Sequence, residues 1–254
     1  MLFYSHMPKI AVIIPTYNEK ENIAGLVGRI FEQNILDLGI IFVDDGSPDG
    51  TADEIGRIRD KKTATLPNPP LEREGDVIQI IRRPGKLGLG SAYIAGFKQA
   101  LADGAELIME MDADLSHAPE DLPRFIAAAE AGAGLIIGSR KIPGGKIIGW
   151  NFRRHLMSNG AMFTARLLLG LKTKDVTSGF RCFKRGVLEK IDLDAIKSNG
   201  YAFQEEMLYR TEKLGFRVAE IPVTFTDRTK GQSKLSTKDI LEFFGTMIRL
   251  VFKN

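Results

Sequence analysis

The chain has 254 residues, 44% of them apolar and 26% charged, with a formal net charge of +3. That length suits one large α/β domain with at most a small appendage, and so slight a charge excess does not describe a polycationic nucleic-acid binder. The one cysteine, Cys182, excludes an internal disulfide, argues against a thiolate zinc site and is expected in the core.

Lys9 to Pro15 reads as a short buried strand, and Ile23, Leu26, Val27, Ile30 and Phe31 then mark one face of a helix. Gly39 to Val43 is a second strand. Thr51 to Glu54 resembles a capping box that opens a second helix. Lys61 to Asp76, with Pro67, Pro69 and Pro70, reads as a solvent loop. Val77 to Ile81, Leu107 to Met111 and Leu135 to Gly138 continue the strands. Helices around Ile94 to Leu101 and Leu122 to Ala129 alternate with them. This rhythm predicts βαβ units and a mostly parallel sheet flanked by helices. After Arg140 it changes: Phe152 to Leu169 reads as a long basic, apolar helix, Asp175 to Lys184 as extended, Gln204 to Leu214 as helix and Arg217 to Phe225 as strand. Met1 to Pro8 is too short and mixed for a signal peptide. No apolar run reaches the roughly 20 residues that cross a bilayer, so a membrane role places the chain on the surface.

In an open parallel sheet, ligands bind beyond the carboxyl ends of the strands. Three polar clusters fall there: Pro15 to Glu19 (PTYNE), Asp44 to Thr51 (DDGSPDGT) and Asp112 to Asp114 (DAD). Two carboxylates flanking one small residue suit a hard cation that shares its ligands with phosphates; alone, the pattern also fits a solvated turn. Asp44 can accept from a base or ribose, or simply cap the next helix. Tyr17 can stack on a base or pack. The glycines of Gly85 to Gly90 do not make a dinucleotide fingerprint, because Tyr93 stands where the third glycine belongs. Lys86 can face a diphosphate or be a plain surface lysine. His117 and His155 carry no assigned role.

The ordered set PTYNE, VDDGSPDGT, GLGSAY, MDADLSH, GSR, SGFR, YAFQEEM and DRTKGQSKLS resembles family-2 glycosyltransferases of the GT-A fold. Within them it is similar to the dolichyl- and polyprenyl-phosphate mannose synthases that lack transmembrane helices. The resemblance runs from Ile10 to about Phe244. It implies mannosyl transfer, with inversion, from GDP-mannose to dolichyl or polyprenyl phosphate, using Mg2+ or Mn2+. By the same resemblance Pro15, Tyr17, Glu19 and Asp44 hold the nucleoside. Asp112, Ala113 and Asp114 form the metal and diphosphate site, with Ser116 beside it where some relatives have Gln. Arg140, Arg154 and Ser158 form the acceptor-phosphate pocket, and Arg228 and Lys234 contact the donor diphosphate. The catalytic set is then Asp114, Arg140, Arg154 and Ser158. Glu206 receives no role. The acceptor is already an anion, so the reaction needs positioning more than a strong base.

The expected domains are a glycosyltransferase unit over 1–237 and an amphipathic C-terminal helix over 238–254. That helix lies in the membrane interface or docks on the protein's own core. The expected setting is peripheral, on the cytoplasmic face of a membrane, with room for a small membrane-anchoring subunit and no nucleic acid. Rival readings are a polyprenyl-phosphate glucose or other hexose transferase and a non-catalytic sugar-nucleotide-binding subunit.

Overall fold

A computed structural model describes residues 9–64, 77–227 and 237–252. Its centre is a seven-stranded sheet in the order β3-β2-β1-β4-β7-β5-β8. The strands are β1 (Ile10–Thr16), β2 (Leu38–Asp44), β3 (Val77–Arg82), β4 (Leu107–Glu110), β5 (Leu135–Ser139), β7 (Arg181–Lys184) and β8 (Val218–Pro222). All pairs are parallel except those of β7, which runs antiparallel between β4 and β5. A separate two-stranded ribbon joins β6 (Lys146–Ile148) to β9 (Thr224–Thr226).

Helices cover both faces of the sheet, so its strands are apolar on both sides. Along β1, Val12 and Ile14 enter one core with side chains of α1 (Lys20–Glu32), α2 (Thr51–Ala64) and α4 (Leu122–Glu130). Ala11 and Ile13 enter the other. That second core holds residues of α3 (Leu89–Ala102), α5 (Phe152–Leu169), α6 (Arg185–Lys190), α7 (Gly200–Lys213) and α8 (Thr237–Phe252). Helix α3 reaches the sheet closely because Gly96 lies on Ile13; a Cβ there would come within 2.2 Å of the Ile13 Cγ2. Cys182 is fully buried, as its sequence context suggests.

Several sequence-based boundaries shift. Helix α2 begins at Thr51, but the cap is Asp49, whose Oδ1 accepts from the Thr51 N–H at 2.9 Å. The Thr51 hydroxyl instead accepts from the Glu19 N–H at 3.0 Å, which ties α2 to the start of α1. The helix runs on to Ala64, and 65–76 lie outside the described residues. The extended stretch expected over 175–184 is a strand only from Arg181. The single strand expected over 217–225 divides at Val223 into β8 and β9, which belong to different sheets.

Helix α8 docks on the protein's own core through Phe243, Met247 and Leu250. Glu206 on α7, almost fully buried, explains why. Its carboxylate accepts from Arg210 Nη2 (2.6 Å), Arg249 Nη2 (2.8 Å) and the Ser198 hydroxyl (2.7 Å). Glu206 is thus a clamp between α7 and α8. Glu206→Ala is expected to cost about 1.5–3 kcal/mol, the usual worth of hydrogen bonds to charged groups. Thermal denaturation should then show a melting temperature lower by about 3–10 °C.

Candidate active site

The carboxyl ends of β1 and β2 face each other in register, Thr16 opposite Asp44. Asp44 is buried there. Its Oδ1 accepts from the Thr16 hydroxyl (3.0 Å) and the Ser47 hydroxyl (2.6 Å), and its Oδ2 from the Ser47 N–H (3.0 Å). Its neighbour Asp45 forms a buried ion pair with Arg83. Arg83 Nη1 also reaches the Ser91 hydroxyl at 2.7 Å, and Asp45 Oδ2 accepts from the Leu87 N–H at 3.2 Å. These bonds fasten the loop before α3 to the end of β2. They carry Lys86 over the exposed ring of Tyr17, 4.7 Å from its centroid. Lys86 is therefore a partner of the predicted base-stacking tyrosine.

A cavity of about 340 Å³ opens beside this rim. Pro15 and Glu19 line one side; Asp112, Ala113, Asp114 and His117, on the loop after β4, line the floor. Leu115 takes a left-handed conformation, φ +63°, and folds the loop back so that the Ser116 N–H reaches Asp114 Oδ1 at 3.0 Å. Asp112 Oδ1 accepts from the Tyr93 hydroxyl of α3 at 3.3 Å. The Asp112 N–H donates to His117 Nδ1 at 3.1 Å, while His117 lies stacked on Phe180, 4.9 Å between centroids. Burial pushes the His117 pKa below its ordinary value, against the pull of Asp112 and Asp114, which suits the neutral acceptor ring. His117 thus holds the acidic loop in place. Ser116 is buried and is not part of the cavity wall.

Beneath this loop lies a buried polar layer. Arg181, fully buried, donates to the carbonyls of Ser178 (2.7 Å), Gln204 (2.6 Å) and Val176 (2.9 Å). It thereby locks β7 to α7. Gln204 lines the cavity and donates through Nε2 to Glu110 Oε2 at 2.7 Å. Burial lifts the Glu110 carboxyl to about 8, with Arg181 and Gln204 acting in the opposite direction.

The opposite wall is basic and aromatic: Arg140, Trp150, Arg154, Phe225 and Asp227. Arg140 is held by Asp175, with Nε on Oδ2 at 2.8 Å and Nη2 on Oδ1 at 2.7 Å. A further bond from Nη2 reaches the Thr177 hydroxyl at 2.9 Å. Asp175 is buried. Its pKa stays below the ordinary carboxylate value even though burial pushes it up, because the Arg140 bonds outweigh that penalty. Arg154 is placed by the helix start. Asn151 caps α5 by accepting the Arg154 N–H at 2.9 Å, and the Arg154 guanidinium lies 4.2 Å from the centroid of the Trp150 ring. Arg154 Nη1 bonds Asp227 Oδ2 at 2.5 Å.

The fold thus gathers Pro15, Glu19, Asp112, Ala113, Asp114, Arg140 and Arg154 around one cavity. Tyr17, just after β1, and Asp44, at the end of β2, are not among its lining residues. Ser158 sits one turn along α5 from Arg154, half-buried and outside the lining. Arg228 and Lys234 lie outside the described residues. Trp150, which the sequence places with Ile147, Ile148 and Phe152 on the apolar side of the acceptor pocket, lines the cavity. Sequence reasoning missed the parts played by His117, Gln204, Phe225 and Asp227. Two signals were available: Gln204 opens QEEM, and Asp227 precedes Arg228 in the last motif.

The donor set fits a hard divalent cation. Two carboxylates on one loop face the cavity with no sulfur ligand near them. Carboxylate oxygens are the ligands that Mg2+ and Mn2+ prefer, often shared with phosphate oxygens and water.

The sequence profile of glycosyl transferase family 2 matches residues 11–192. The chain is 46% identical over 231 residues to polyprenol monophosphomannose synthase of Mycolicibacterium smegmatis, covering 91% of this chain and 82% of the relative. It is 42% identical over 228 residues to undecaprenyl-phosphate mannosyltransferase of Micrococcus luteus, covering 90% and 88%. Among solved structures, glucosyl-3-phosphoglycerate synthase of Mycobacterium tuberculosis superposes with a TM-score of 0.66 at 17% identity, covering 96% of this chain and 80% of that one. A mannosyltransferase of Pyrobaculum calidifontis in complex with GDP-Man and Mn2+ gives 0.59 at 18%, covering 95% and 64%.

Proposed function

Since the chain belongs to glycosyl transferase family 2 and is a glycosyltransferase of the GT-A fold, we propose that it transfers mannose from GDP-mannose to the phosphate of a polyprenyl or dolichyl lipid, with inversion. One observation carries the reading: a single cavity faces an acidic loop, Asp112 and Asp114, with a basic wall, Arg140 and Arg154. Two anionic groups must meet in this reaction, the donor diphosphate and the acceptor phosphate. One cavity with a cation site on one side and two guanidinium groups on the other suits that encounter. The names of the two curated relatives both describe mannosyl or phosphomannose chemistry on a polyprenol lipid, which supports the acceptor class. The Pyrobaculum complex supports GDP-mannose and a divalent metal.

In this mechanism Asp112 and Asp114 would hold Mg2+ or Mn2+, which would supply positive charge for the leaving diphosphate. Pro15, Tyr17, Glu19 and Asp44 frame the nucleoside. Arg228 and Lys234 are assigned to the diphosphate. Arg154 and Arg140 draw the acceptor phosphate to the sugar carbon, and the walls around Trp150 and Phe225 narrow access of water. The test is transfer of labelled sugar from GDP-mannose, GDP-glucose and UDP-glucose to a polyprenyl phosphate. GDP-mannose is expected to be used by far the best, and a clear preference for UDP-glucose would overturn the donor assignment.

The same proposal places the enzyme on a bilayer. No described helix is long and apolar enough to cross one. Yet α5, which begins at the basic wall, exposes Phe152 (79%), Leu156 and Leu167 (71%), and α8, packed beside it, exposes Ile248 and Phe252 (81%). Arg153 is exposed among them. Apolar side chains interleaved with cations suit an anionic membrane surface. Exchanging Leu167 and Phe252 together for Glu is expected to lower flotation with anionic vesicles by about tenfold or more, since each large side chain contributes roughly 1.5 kcal/mol or more on burial. Unchanged flotation would move the membrane contact elsewhere.

A further inference from the structure

Asp227 is an unexpected residue in a wall built for phosphate. It brings a carboxylate to the guanidinium of Arg154 in the first turn of α5, and Arg154 Nη1 bonds its Oδ2 at 2.5 Å. The pair is partly open to solvent, at 32% and 24% side-chain exposure, and both residues line the cavity. The position is built in. The Asp227 N–H donates to the Ile148 carbonyl at 2.9 Å. Gly149, at φ +95°, leaves the space that Asp227 fills, since a Cβ there would lie 2.9 Å from the Asp227 Cβ. Arg140 differs: its carboxylate partner Asp175 is fully buried and serves the scaffold. The Asp227 carboxylate stands within the cavity itself.

We propose that Asp227 is a built-in stand-in for the acceptor phosphate, holding Arg154 in place on the Trp150 ring until a phosphomonoester displaces it. The inference rests on the proposed function, in which Arg154 receives that phosphate. The charges of the reaction give the exchange a direction. An acceptor phosphate oxygen forms a bond to the sugar carbon as the bond from that carbon to the donor β-phosphate breaks. The electron pair leaves on the nucleoside diphosphate, and no proton need move. The acceptor enters as a phosphomonoester of about two negative charges and leaves as a phosphodiester of one. A carboxylate that yields to the first competes more effectively with the second. Asp227 is therefore a positioning residue that keeps Arg154 oriented when the site is empty and helps release the product.

A purely structural role for the ion pair makes the opposite prediction for Asp227→Asn. If Asp227 only braced Arg154, the variant would bind acceptor more weakly. As a competitor its loss tightens binding. The expected result is an acceptor KM lower by about two- to fivefold, the upper part of the range for a partly exposed ion pair, with the donor KM unchanged and Asp227→Glu close to wild type. An acceptor KM that rises or stays the same overturns the proposal. Binding is also read without turnover. Trp150 is the only tryptophan and carries Arg154 on its face, so its fluorescence reports titration with citronellyl phosphate. Tighter binding by the Asn variant in a protein that transfers no sugar to polyprenyl phosphate would reject the functional reading and keep the role of Asp227. Should the Asn variant fail to fold, a crystal structure of the wild-type protein with citronellyl phosphate decides. Arg154 moved from Asp227 onto the phosphate supports the exchange, and an intact ion pair with the phosphate bound elsewhere refutes it.

Discussion

Asp114→Asn is expected to retain the fold and lose sugar transfer by about 100- to 1000-fold, the usual cost of removing one preorganised group from the charge developing at a leaving oxygen. Asp114 lies on the cavity floor, and one carboxylate oxygen is already aligned by the Ser116 N–H. The amide is nearly isosteric and can keep that bond, so circular dichroism and melting temperature should change little. What disappears is half of the negative charge proposed to hold a divalent cation against the diphosphate. The loss should fall on kcat, and added Mn2+ should recover only part of it. Wild-type turnover in saturating Mn2+ would remove Asp114 from the cation site.

Arg154→Ala is expected to act on the other substrate. A charge-assisted contact to phosphate is worth about 1.5–3 kcal/mol, which is roughly a 10- to 150-fold rise in acceptor KM. The true value should lie toward the upper end, because the truncation leaves the Asp227 carboxylate facing the incoming phosphate. Adding Asp227→Asn to Arg154→Ala should therefore restore part of the lost affinity, a non-additivity expected of residues in direct contact. Donor KM should stay within about twofold of wild type. Equal weakening of donor and acceptor would mean that Arg154 serves the cavity as a whole and not the acceptor phosphate.

The parallel half of the sheet was legible because each of its strands is followed by a helix with a clear apolar face, and those periods differ. The acidic clusters were legible for the same reason, since each directly follows a strand. What stayed hidden was set by distant pairing. β7 is four residues long and acquires its antiparallel place only from β4 and β5. The ribbon of β6 and β9 joins two three-residue segments nearly eighty positions apart, which no local pattern announces. That ribbon brings Phe225 and Asp227 to the basic wall, so the wall's composition was hidden with it. Glu206 illustrates the converse: its motif was conspicuous, but its partners Arg210 and Arg249 make it a clamp for α8. The Thr51 cap failed by two residues because the Thr51 hydroxyl is taken by the Glu19 N–H and the Glu54 N–H by the Gly50 carbonyl, leaving Asp49 to cap the Thr51 N–H.

The most direct test of the central claim compares two acceptors that differ only in the phosphate. The enzyme is incubated with GDP-mannose and a divalent cation, together with either a polyprenyl phosphate or the corresponding polyprenol, and the lipid fraction is read by mass spectrometry. The account predicts one added hexose on the polyprenyl phosphate, none on the polyprenol, and loss of the product when a chelator is present. Hexose on the free alcohol, or equal product in chelator, would contradict a cavity that joins a cation-held diphosphate to an arginine-held acceptor phosphate.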